Sequence, residues 1–348
     1  MKRFHKLTKI LTIQFVVVLL VSLISSRNLV TAQNYTDNKI LLPVTQQGKA
    51  GYVNGNGEIR IPFLFDGADY FSEGVAAVWL LGKWGYINNE GRLVIPNQFD
   101  YANAFSDGLA PVKIDSKWGY IDKSGMVVIE PQFDEAGPFS DGLALVRFGD
   151  KYAFIDQKGQ TLFGKFFSAA LPFNENVAAV RKGRKWGYID QSGRWIIKPR
   201  FSWAKKSSEG LLPVGIDGKA GYVNKRGDVA IRLQYEDAEI FSEGLAAVQL
   251  GGRWGYINKL GKLVVPPQYV AADEFSEGLA AVKVNVNNHP VASIQKCCWG
   301  YINAEGNIIR SPQFEFAFSF SHGYASVYLG SKNGYIDKQG KFIWKARF

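Results

Sequence analysis

The sequence repeats itself with a period of 34 residues, and this period constrains the fold more than any local motif. The motif Lys-Trp-Gly-Tyr-Ile-Asp-Lys-Ser-Gly at residues 117–125 recurs nine times with small changes. Its inner position is held by Gly51, Gly85, Gly119, Ala153, Gly187, Gly221, Gly255, Gly300 and Gly334, with one longer step of 45 residues after Gly255. A fixed period of this length is typical of an architecture that stacks one small unit many times.

Each unit has the pattern of three short antiparallel strands. In the unit that begins at Leu109, runs of four to six β-branched and aromatic residues alternate with clusters of Gly, Asp and Ser. This alternation predicts strands joined by hairpin turns. A helical hairpin of the same period is excluded, because Trp, Gly and Tyr are contiguous and a turn residue interrupts roughly every ten positions. The connecting segment has Phe99, Ala102 and Phe105 spaced by three, which predicts a compact turn rather than a strand.

The turn between the second and third strands is the most regular part of the unit. It starts at an Asn or Asp in all nine copies and has a glycine three residues later. An Asx side chain that accepts backbone bonds, followed by a glycine with positive φ, predicts a type I turn with a glycine bulge. Because Asn and Asp interchange, the position needs an acceptor rather than a charge, and we interpret it as structural.

The second strand carries the aromatic residues. Its period of two puts Trp118 and Tyr120 on one face and Gly119 on the other, where a glycine leaves room for close packing. We expect a ring of the connecting segment, Phe133 or Phe139, to fill that room. The aromatic rows have two interpretations, a buried core or partly exposed platforms that stack sugar rings. The candidate platform residues are Trp84, Tyr86, Trp118, Tyr120, Trp186, Tyr188, Trp254, Tyr256, Trp299 and Tyr301.

The composite motif resembles the bacterial WG-repeat (KWG-repeat) family over roughly residues 41 to 345. The first, fourth, sixth and ninth units depart from its Trp-Gly pair, with Ala50, Tyr152-Ala153, Ala220 and Asn333. The resemblance implies a binding or scaffolding repeat protein rather than an enzyme. By analogy alone, the aromatic hairpins also resemble the cell-wall-binding repeats of surface proteins.

The predicted fold class is all-β, with residues 41–348 forming nine stacked repeats. Small units of this kind bury their apolar faces only against neighbours. An open solenoid-like array and a closed, β-propeller-like toroid both satisfy this requirement. Whole units at both ends of the array favour the open form. The extra 11 residues of the eighth unit fall at about 284–296, between its first and second strands.

The N-terminal segment has the anatomy of a secretory signal peptide. A basic start precedes a 15-residue, mostly apolar run from Ile10 to Ile24, and Val30-Thr31-Ala32 offers small residues before a cut at Gln33. We therefore predict a signal peptide at 1–32, a lead-in at 33–40 and an exported mature chain. An uncleaved anchor is the alternative, and the apolar run is short for the ~20 residues of a membrane span. Five Lys and Arg and no acid lie before Gln33, so half of the formal charge of +10 belongs to this segment.

Residues with reactive side chains are few. Cys297 and Cys298 are adjacent, which excludes a disulfide framework and leaves two free thiols or an intermolecular disulfide. No metal-ligand spacing, phosphate loop or nucleophile elbow occurs, so we expect no catalytic residues, no metal and no cofactor. The acids of the Ser-Glu-Gly turns, for example Glu73, could line up for calcium. We interpret them instead as turn acids that bind their own backbone.

These observations predict an exported, non-enzymatic module that binds or scaffolds envelope proteins or cell-wall polysaccharide. The alternative is an accessory or sensor part of an envelope enzyme system, with a site at the 284–298 insertion. There Cys298 would act as nucleophile, with His289 or His322 as base. A nucleic-acid partner is not expected because no dense Lys/Arg run is present. Contact with a membrane is expected only through the signal segment, if it is not cleaved.

Overall fold

A computed structural model describes residues 39–285, 299–330 and 332–345. Within these ranges the chain forms nine consecutive antiparallel β-sheets and contains no helix. Consequently the same residues include no helix that is long and apolar enough to cross a membrane. The predicted signal peptide, residues 33–38 of the lead-in and residues 286–298 of the insertion lie outside the described residues.

The strands are numbered along the chain, and each sheet takes three or four consecutive strands. The first sheet contains β1 (Leu42–Gln46), β2 (Lys49–Val53) and β3 (Ile59–Phe65). The second contains β4 (Gly67–Ala68), β5 (Val75–Leu80), β6 (Lys83–Asn88) and β7 (Leu93–Phe99). The third contains β8 (Tyr101–Ala102), β9 (Ala110–Ile114), β10 (Lys117–Ile121) and β11 (Val127–Phe133). The fourth sheet contains β12 (Glu135–Ala136), β13 (Leu143–Phe148) and β14 (Lys151–Asp156). The fifth contains β15 (Ala169–Ala170), β16 (Val177–Lys182), β17 (Lys185–Asp190) and β18 (Trp195–Phe201). The sixth contains β19 (Trp203–Ala204), β20 (Leu211–Ile216), β21 (Lys219–Asn224) and β22 (Val229–Tyr235). The seventh sheet contains β23 (Asp237–Ala238), β24 (Leu245–Leu250), β25 (Arg253–Asn258) and β26 (Leu263–Tyr269). The eighth contains β27 (Ala271–Ala272), β28 (Leu279–Lys283), β29 (Trp299–Asn303) and β30 (Ile308–Phe314). The ninth contains β31 (Phe316–Ala317), β32 (Tyr324–Leu329), β33 (Lys332–Asp337) and β34 (Phe342–Lys345).

Most sheets contain one strand more than the sequence indicated. In the third sheet, the two residues of β8 pair with Lys113 and Val112 of β9. The chain then turns at Ser106–Leu109, where Asp107 (φ 51°) and Gly108 (φ 80°) both have positive φ. Two backbone bonds close this turn, which is the type I′ hairpin that suits twisted strands. The connecting segment therefore contains a compact turn, but the expectation that it has no strand was wrong, because a two-residue strand is too short to show alternation in the sequence.

The turn between the second and third long strands is confirmed. In the third sheet, the Asp122 side chain accepts the N–H groups of Ser124 and Met126, at 2.9 and 3.1 Å. Gly125 has a φ of 85° and donates its N–H to the Asp122 carbonyl. In all nine copies, the backbone N–H of the residue four positions after the Asx donates to the Asx side-chain oxygen. The position is structural, as its Asn/Asp interchange indicated.

The glycine gap is filled by backbone, not by a ring. A Cβ on Gly119 would lie 2.5 Å from the Ile129 carbonyl oxygen and 2.8 Å from the Pro131 nitrogen, both in β11. The pairing of β10 with β11 shifts register at this point, so β11 bulges against the glycine. The expectation of a phenylalanine filler was wrong. The fourth sheet has Ala153 here, and its third long strand is reduced to two isolated bridges.

The nine sheets close into a ring. Leu42 and Val44 of the first sheet share a buried cluster with Tyr335 and Trp344 of the ninth. The Tyr335 hydroxyl lies 3.1 Å from the carbonyl oxygen of Pro43 in the first sheet. The fifth and sixth sheets use the same contact, at 3.3 Å from the Tyr188 hydroxyl to the Pro213 oxygen. The turn glycines repeat this pattern, since Gly125 packs on Ile95 of the sheet before it and Gly57 packs on Ile343.

The architecture is a nine-bladed β-propeller, with one sheet as each blade. The open solenoid-like array favoured by the sequence is not confirmed, and the toroidal alternative describes the structure. The short strand pairs with one edge of the first long strand in eight blades, and we call this edge the inner side of the blade. The insertion of the eighth unit begins after β28 and ends before β29, between the first and second long strands as predicted.

The hydrophobic core lies between neighbouring blades. Tyr120 of the third blade packs against Phe133 and Phe139, with ring centroids 6.2 and 4.8 Å apart. Its hydroxyl donates to the carbonyl of Gly137 in the fourth blade at 2.8 Å. Corresponding bonds run from Tyr52 to Asp69, Tyr86 to Asn103, Tyr188 to Lys205, Tyr222 to Glu239, Tyr256 to Asp273 and Tyr301 to Phe318. Seven blades are thus fastened to the next by an aromatic ring and a hydrogen bond, whereas the fourth blade has Phe154 at this position and Tyr335 of the ninth bonds to Tyr70 and Pro43.

Candidate functional site

The tyrosines of the predicted platform are core residues. Tyr86, Tyr120, Tyr188, Tyr256 and Tyr301 are at most 1% exposed. Burial raises the pKa of each of these phenols above its usual range, and the hydroxyls stay protonated as donors. These five side chains have no surface for a ligand, so this half of the predicted platform was wrong. The sequence pattern did not show that both faces of the second long strand are covered.

The tryptophans of the same motif are half-buried. They lie at the start of the second long strand, at the end of each blade that carries the hairpin between the first and second long strands. The five are Trp84, Trp118, Trp186, Trp254 and Trp299. Because part of each indole stays accessible, a role as a ligand platform remains a prediction for these residues alone.

One group of rings, which we call the aromatic patch, spans the second and third blades. It consists of Trp79, Trp84, Tyr101 and Trp118. Tyr101 lies between two indoles, with ring centroids 5.3 Å from Trp84 and 5.6 Å from Trp118. Trp79 and Tyr101 are 41% and 45% exposed. A cleft of about 310 Å³ opens at the patch, lined by Asp100, Tyr101, Lys113, Ser116 and Trp118.

Two members of the patch, Trp79 and Tyr101, were missed by the sequence analysis. They stand at positions that vary from copy to copy, whereas the candidate platform residues are the Trp and Tyr that recur in the repeat motif. At the Trp79 position the later copies have Lys113, Arg147, Arg181, Gly215, Gln249, Lys283 and Tyr328. A search for copy-specific aromatic residues would have found both.

Other indoles of the ring lie beneath cations. The Arg181 guanidinium sits 5.8 Å from the Trp186 ring, and the Lys205 ammonium sits 5.5 Å from the Trp203 ring. Such cation–π contacts cover part of the aromatic face. The aromatic patch differs from these places because three of its rings, Trp84, Tyr101 and Trp118, contact in series, and Trp79 and Tyr101 are well exposed.

The acids of the Ser-acid-Gly turns connect neighbouring blades. Asp107 accepts the N–H of Gly142 in the next blade at 2.9 Å. The same bond joins Glu73 to Gly108, Glu175 to Gly210, Glu209 to Gly244, Glu243 to Gly278 and Glu277 to Gly323. The acids therefore bind the backbone of the next turn rather than their own, which corrects the interpretation made from the sequence. Among the described residues, no group of three or more His, Cys, Asp or Glu side chains could hold a metal ion.

A charged cluster lies on the inner side of blades six to eight. Lys205 pairs with Glu239 at 2.7 Å. Asp273 is partly buried, and burial together with the nearby Glu274 and Glu239 raises the pKa of its carboxyl. The negative form of Asp273 is therefore disfavoured in the folded state.

This raised pKa predicts a pH-dependent effect of Asp273→Asn. A carboxyl group whose pKa is higher in the folded than in the unfolded state lowers the free energy of unfolding when it is ionised. This loss is complete at a pH above the folded-state pKa and absent at a pH below the unfolded-state pKa. We expect Asp273→Asn to raise the thermal midpoint at pH 7 by roughly 2 °C and to have no effect near pH 3. Thermal unfolding followed by circular dichroism at both pH values checks this. Asp115→Asn, on an exposed turn, is the control, and an equal gain there would contradict the expectation.

A cavity lies at the seam between the ninth and first blades. It has a volume of about 700 Å³, and its walls include Ile40, Leu41, Tyr70, Tyr328 and Tyr335. The Tyr70 and Tyr335 hydroxyls meet there at 2.8 Å. We call this space the seam cavity. It interrupts the regular packing of blade on blade.

The alternative enzyme site involves residues that are mostly outside the described ranges. Cys298 and His289 belong to residues 286–298. His322 takes the place of the acid in the ninth Ser-acid-Gly turn, and its Nδ1 lies 2.9 Å from the Ser321 hydroxyl oxygen. It borders the seam cavity. The predicted pairing of His322 with Cys298 therefore stays a prediction.

Comparison with known proteins identifies the repeat. The family profile described as WG containing repeat matches residues 51–84, 84–118, 118–152, 152–186, 186–219, 221–254, 254–285 and 299–332. None of the curated protein sequences matches the chain. Among solved structures, one described as the crystal structure of the eukaryotic initiation factor covers 89% of this chain and 96% of its own, with 12% identity and a TM-score of 0.63. Dihydro-heme d1 dehydrogenase NirN, in complex with DHE, covers 89% and 73% with 11% identity and a TM-score of 0.48. The first of these likenesses concerns the fold alone.

Proposed function

The chain belongs to the family of proteins built from WG-containing repeats, and on this premise we propose that it is an exported, non-enzymatic binding protein. Its ligand is a cell-wall polysaccharide, held at the aromatic patch of the second and third blades. An envelope protein bound at the same patch is the other partner that the sequence predicts. The nine blades act as the scaffold that holds the patch in place.

The observation that carries this proposal is the geometry of the aromatic patch. Indole and phenol rings present an apolar face together with a polar edge, which suits the faces and hydroxyls of sugar rings. Four such rings lie across two adjacent blades, and two of them are more than two-fifths exposed. Rigid strands hold three of the rings, and the Tyr101 ring is fixed between two indoles. A preformed surface of this kind loses little conformational entropy when it binds.

The charged side chains near the patch favour an anionic or amphipathic glycan as its ligand. Lys113 lines the cleft beside Tyr101 and Trp118. Asp100, also in the cleft, is paired with Lys83 at 2.6 Å. This contact holds the pKa of the Asp100 carboxyl below its usual range. The Lys113 ammonium and the hydroxyl of Ser116 are polar groups that can orient a sugar beside the rings.

Tyr101→Ala is expected to weaken binding of purified cell-wall polysaccharide by about 5- to 150-fold, if stacking of a sugar on this ring contributes the roughly 1–3 kcal/mol that stacking of a nucleic-acid base on an aromatic side chain does. Tryptophan fluorescence titration of the mature chain measures this. The control is Phe316→Ala, because Phe316 begins the short strand of the ninth blade as Tyr101 begins that of the third, and it is 59% exposed. Binding that both variants weaken equally, or that neither weakens, would contradict a site at the aromatic patch.

A further inference from the structure

A cleft between the fourth and fifth blades is lined by positive charge. Its volume is about 330 Å³, and we call it the basic cleft. The cations in its wall are Lys151, Lys165, Arg181 and Lys182. Among the described residues that line it, none is an Asp or a Glu. It lies at the same repeat position as the cleft of the aromatic patch, two units further along the chain, because Arg181 is the counterpart of Lys113.

The preceding copy of the repeat balances the charge at this position. There the Lys117 ammonium pairs with the Asp134 carboxylate at 2.6 Å. The Arg147 guanidinium pairs with the Glu135 carboxylate at 2.7 Å. Two cations and two acids therefore neutralise each other where the third and fourth blades meet.

The basic cleft keeps both cations of that set and lacks both acids. Lys151 and Arg181 stand 34 residues after the two cations. The counterparts of the two acids are Ser168 and Ala169. Asp150 lies 3.3 Å from the Lys151 ammonium, but its side chain is 86% exposed. An ion pair as exposed as this one is weak, so it offsets little of the positive charge.

Two further lysines add to the charge of the cleft. Lys165 stands where the preceding copy has a proline, and Lys182 stands where it has a phenylalanine. Among the described residues, no carboxylate forms an ion pair with Lys165, Arg181 or Lys182. Like charges that share one cleft repel each other, and a bound anion reduces that repulsion. The cleft therefore favours a ligand with more than one negative charge.

Two of the cations are held in place by the chain. The Nε and Nη2 atoms of Arg181 lie 3.3 and 3.2 Å from the hydroxyl and carbonyl oxygens of Ser168. The same guanidinium lies over the Trp186 ring. The Lys165 ammonium donates to the Gly193 carbonyl at 2.7 Å. Groups held in this way lose less conformational entropy when they bind a ligand.

An aromatic wall adjoins the cations. Phe166 lines the cleft and is 54% exposed, and its ring centroid lies 6.0 Å from that of Phe148. The half-buried Trp195 lines the same cleft. Exposed rings beside a cluster of cations suit a sugar that carries an anionic group. A phosphate monoester fits the charge of the cleft best, because it carries about −1.5 to −2 at pH 7, whereas a carboxylate carries a single charge.

We propose that the basic cleft binds the phosphate monoester of a sugar. The Arg181 guanidinium and the three ammonium groups surround the phosphate, since such donors form short, charge-assisted hydrogen bonds with its oxygens. The sugar ring lies against Phe166. The basic cleft shares no residue with the aromatic patch, so this site does not rest on the proposed function. A free sugar phosphate and a phosphate group on a polysaccharide present the same chemistry, and the test includes both.

Isothermal titration calorimetry of the mature chain tests the ligand class, at low ionic strength because salt screens exposed charges. We expect glucose 6-phosphate to bind at least about tenfold more tightly than glucuronate, because the phosphate carries the larger charge. Inorganic phosphate should bind more weakly than glucose 6-phosphate, since it makes no contact with Phe166. A mannan that bears phosphate monoesters, compared with the same mannan after phosphatase treatment, tests the polysaccharide source. The proposal is wrong if neither phosphorylated ligand binds, or if glucuronate or inorganic phosphate binds as tightly as glucose 6-phosphate.

Restoring one of the missing acids tests the location. Ser168→Asp supplies a carboxylate that pairs with Lys151 and repels the phosphate, and the fold should tolerate it because three earlier copies have aspartate at this position. We expect the affinity for glucose 6-phosphate to fall by roughly tenfold or more, the effect of losing one charge-assisted bond. Ser202→Asp is the matched control, the same change one repeat later, where the counterpart of Arg181 is Gly215. It should change the affinity by less than about twofold. Equal losses in the two variants, or unchanged binding by Ser168→Asp, would overturn the assignment.

Discussion

Tyr120→Ala is expected to lower the free energy of unfolding by about 3–5 kcal/mol, the range for removing a buried aromatic ring. The ring is fully buried between the third and fourth blades and packs on Phe139. Its hydroxyl also donates to the Gly137 carbonyl, and that bond is lost with the ring. Denaturant unfolding of the mature chain, followed by circular dichroism, measures the change.

Two comparisons separate the contributions of the Tyr120 ring and hydroxyl. Tyr120→Phe keeps the ring and removes the hydrogen bond, so we expect a loss of about 1 kcal/mol. Tyr101→Ala removes an exposed phenol of the aromatic patch and should change stability much less. If Tyr120→Ala destabilised the protein no more than Tyr101→Ala does, the assignment of the motif tyrosines to the core would be wrong. The same pair separates folding from binding, because the proposed function assigns binding to Tyr101.

Gly119→Ala is expected to be the other strongly destabilising change, by roughly 1–3 kcal/mol. The added methyl would collide with the Ile129 carbonyl and the Pro131 nitrogen, and both belong to backbone that can move only if β11 separates from β10. We therefore expect loss of the third long strand of that blade as well as a lower free energy of unfolding. Hydrogen exchange of the β11 amides, compared with denaturant unfolding, measures both effects.

The protein has a natural counterpart of that substitution. Ala153 occupies the same position in the fourth blade, where only Tyr152–Phe167 and Ile155–Thr161 bridges stand in for the third long strand. Ala153→Gly is the matched control and should change stability by less than about 1 kcal/mol, because no strand is packed there to be released. Gly119→Ala with unchanged β11 protection would show that the glycine is not required for the bulge.

The propeller fold also bears on the proposed function. A closed ring of blades leaves only short, protected strand edges, and this limits unwanted pairing with other chains. The completed ring presents the aromatic patch on two rigid neighbours.

The parts of the fold that could be predicted are those encoded within a few residues. The Asx-to-glycine turn depends on four successive positions, such as Asp122 to Gly125, and the second and third strands depend on alternation over five to seven residues. These were predicted correctly. The short strand that begins at Tyr101 was missed because two residues are too few to show the alternation of apolar and polar positions that marks a strand. Of the candidate platform residues, the tryptophans keep exposed surface and the tyrosines do not, and ligand binding by the tryptophans stays a prediction.

The sequence by itself determined that nine all-β units follow one another, where each turn lies and where the eighth unit is extended, because the repeat and the turn residues are local signals. The tertiary structure alone decided that the units close into a ring, since closure depends on contacts such as that between Tyr70 and Tyr335, which are 265 residues apart. It also decided which rings are buried. Trp118 and Tyr120 lie on the same face of β10 and look alike in sequence, and only the packing of the next blade covers Tyr120 while leaving part of Trp118 accessible.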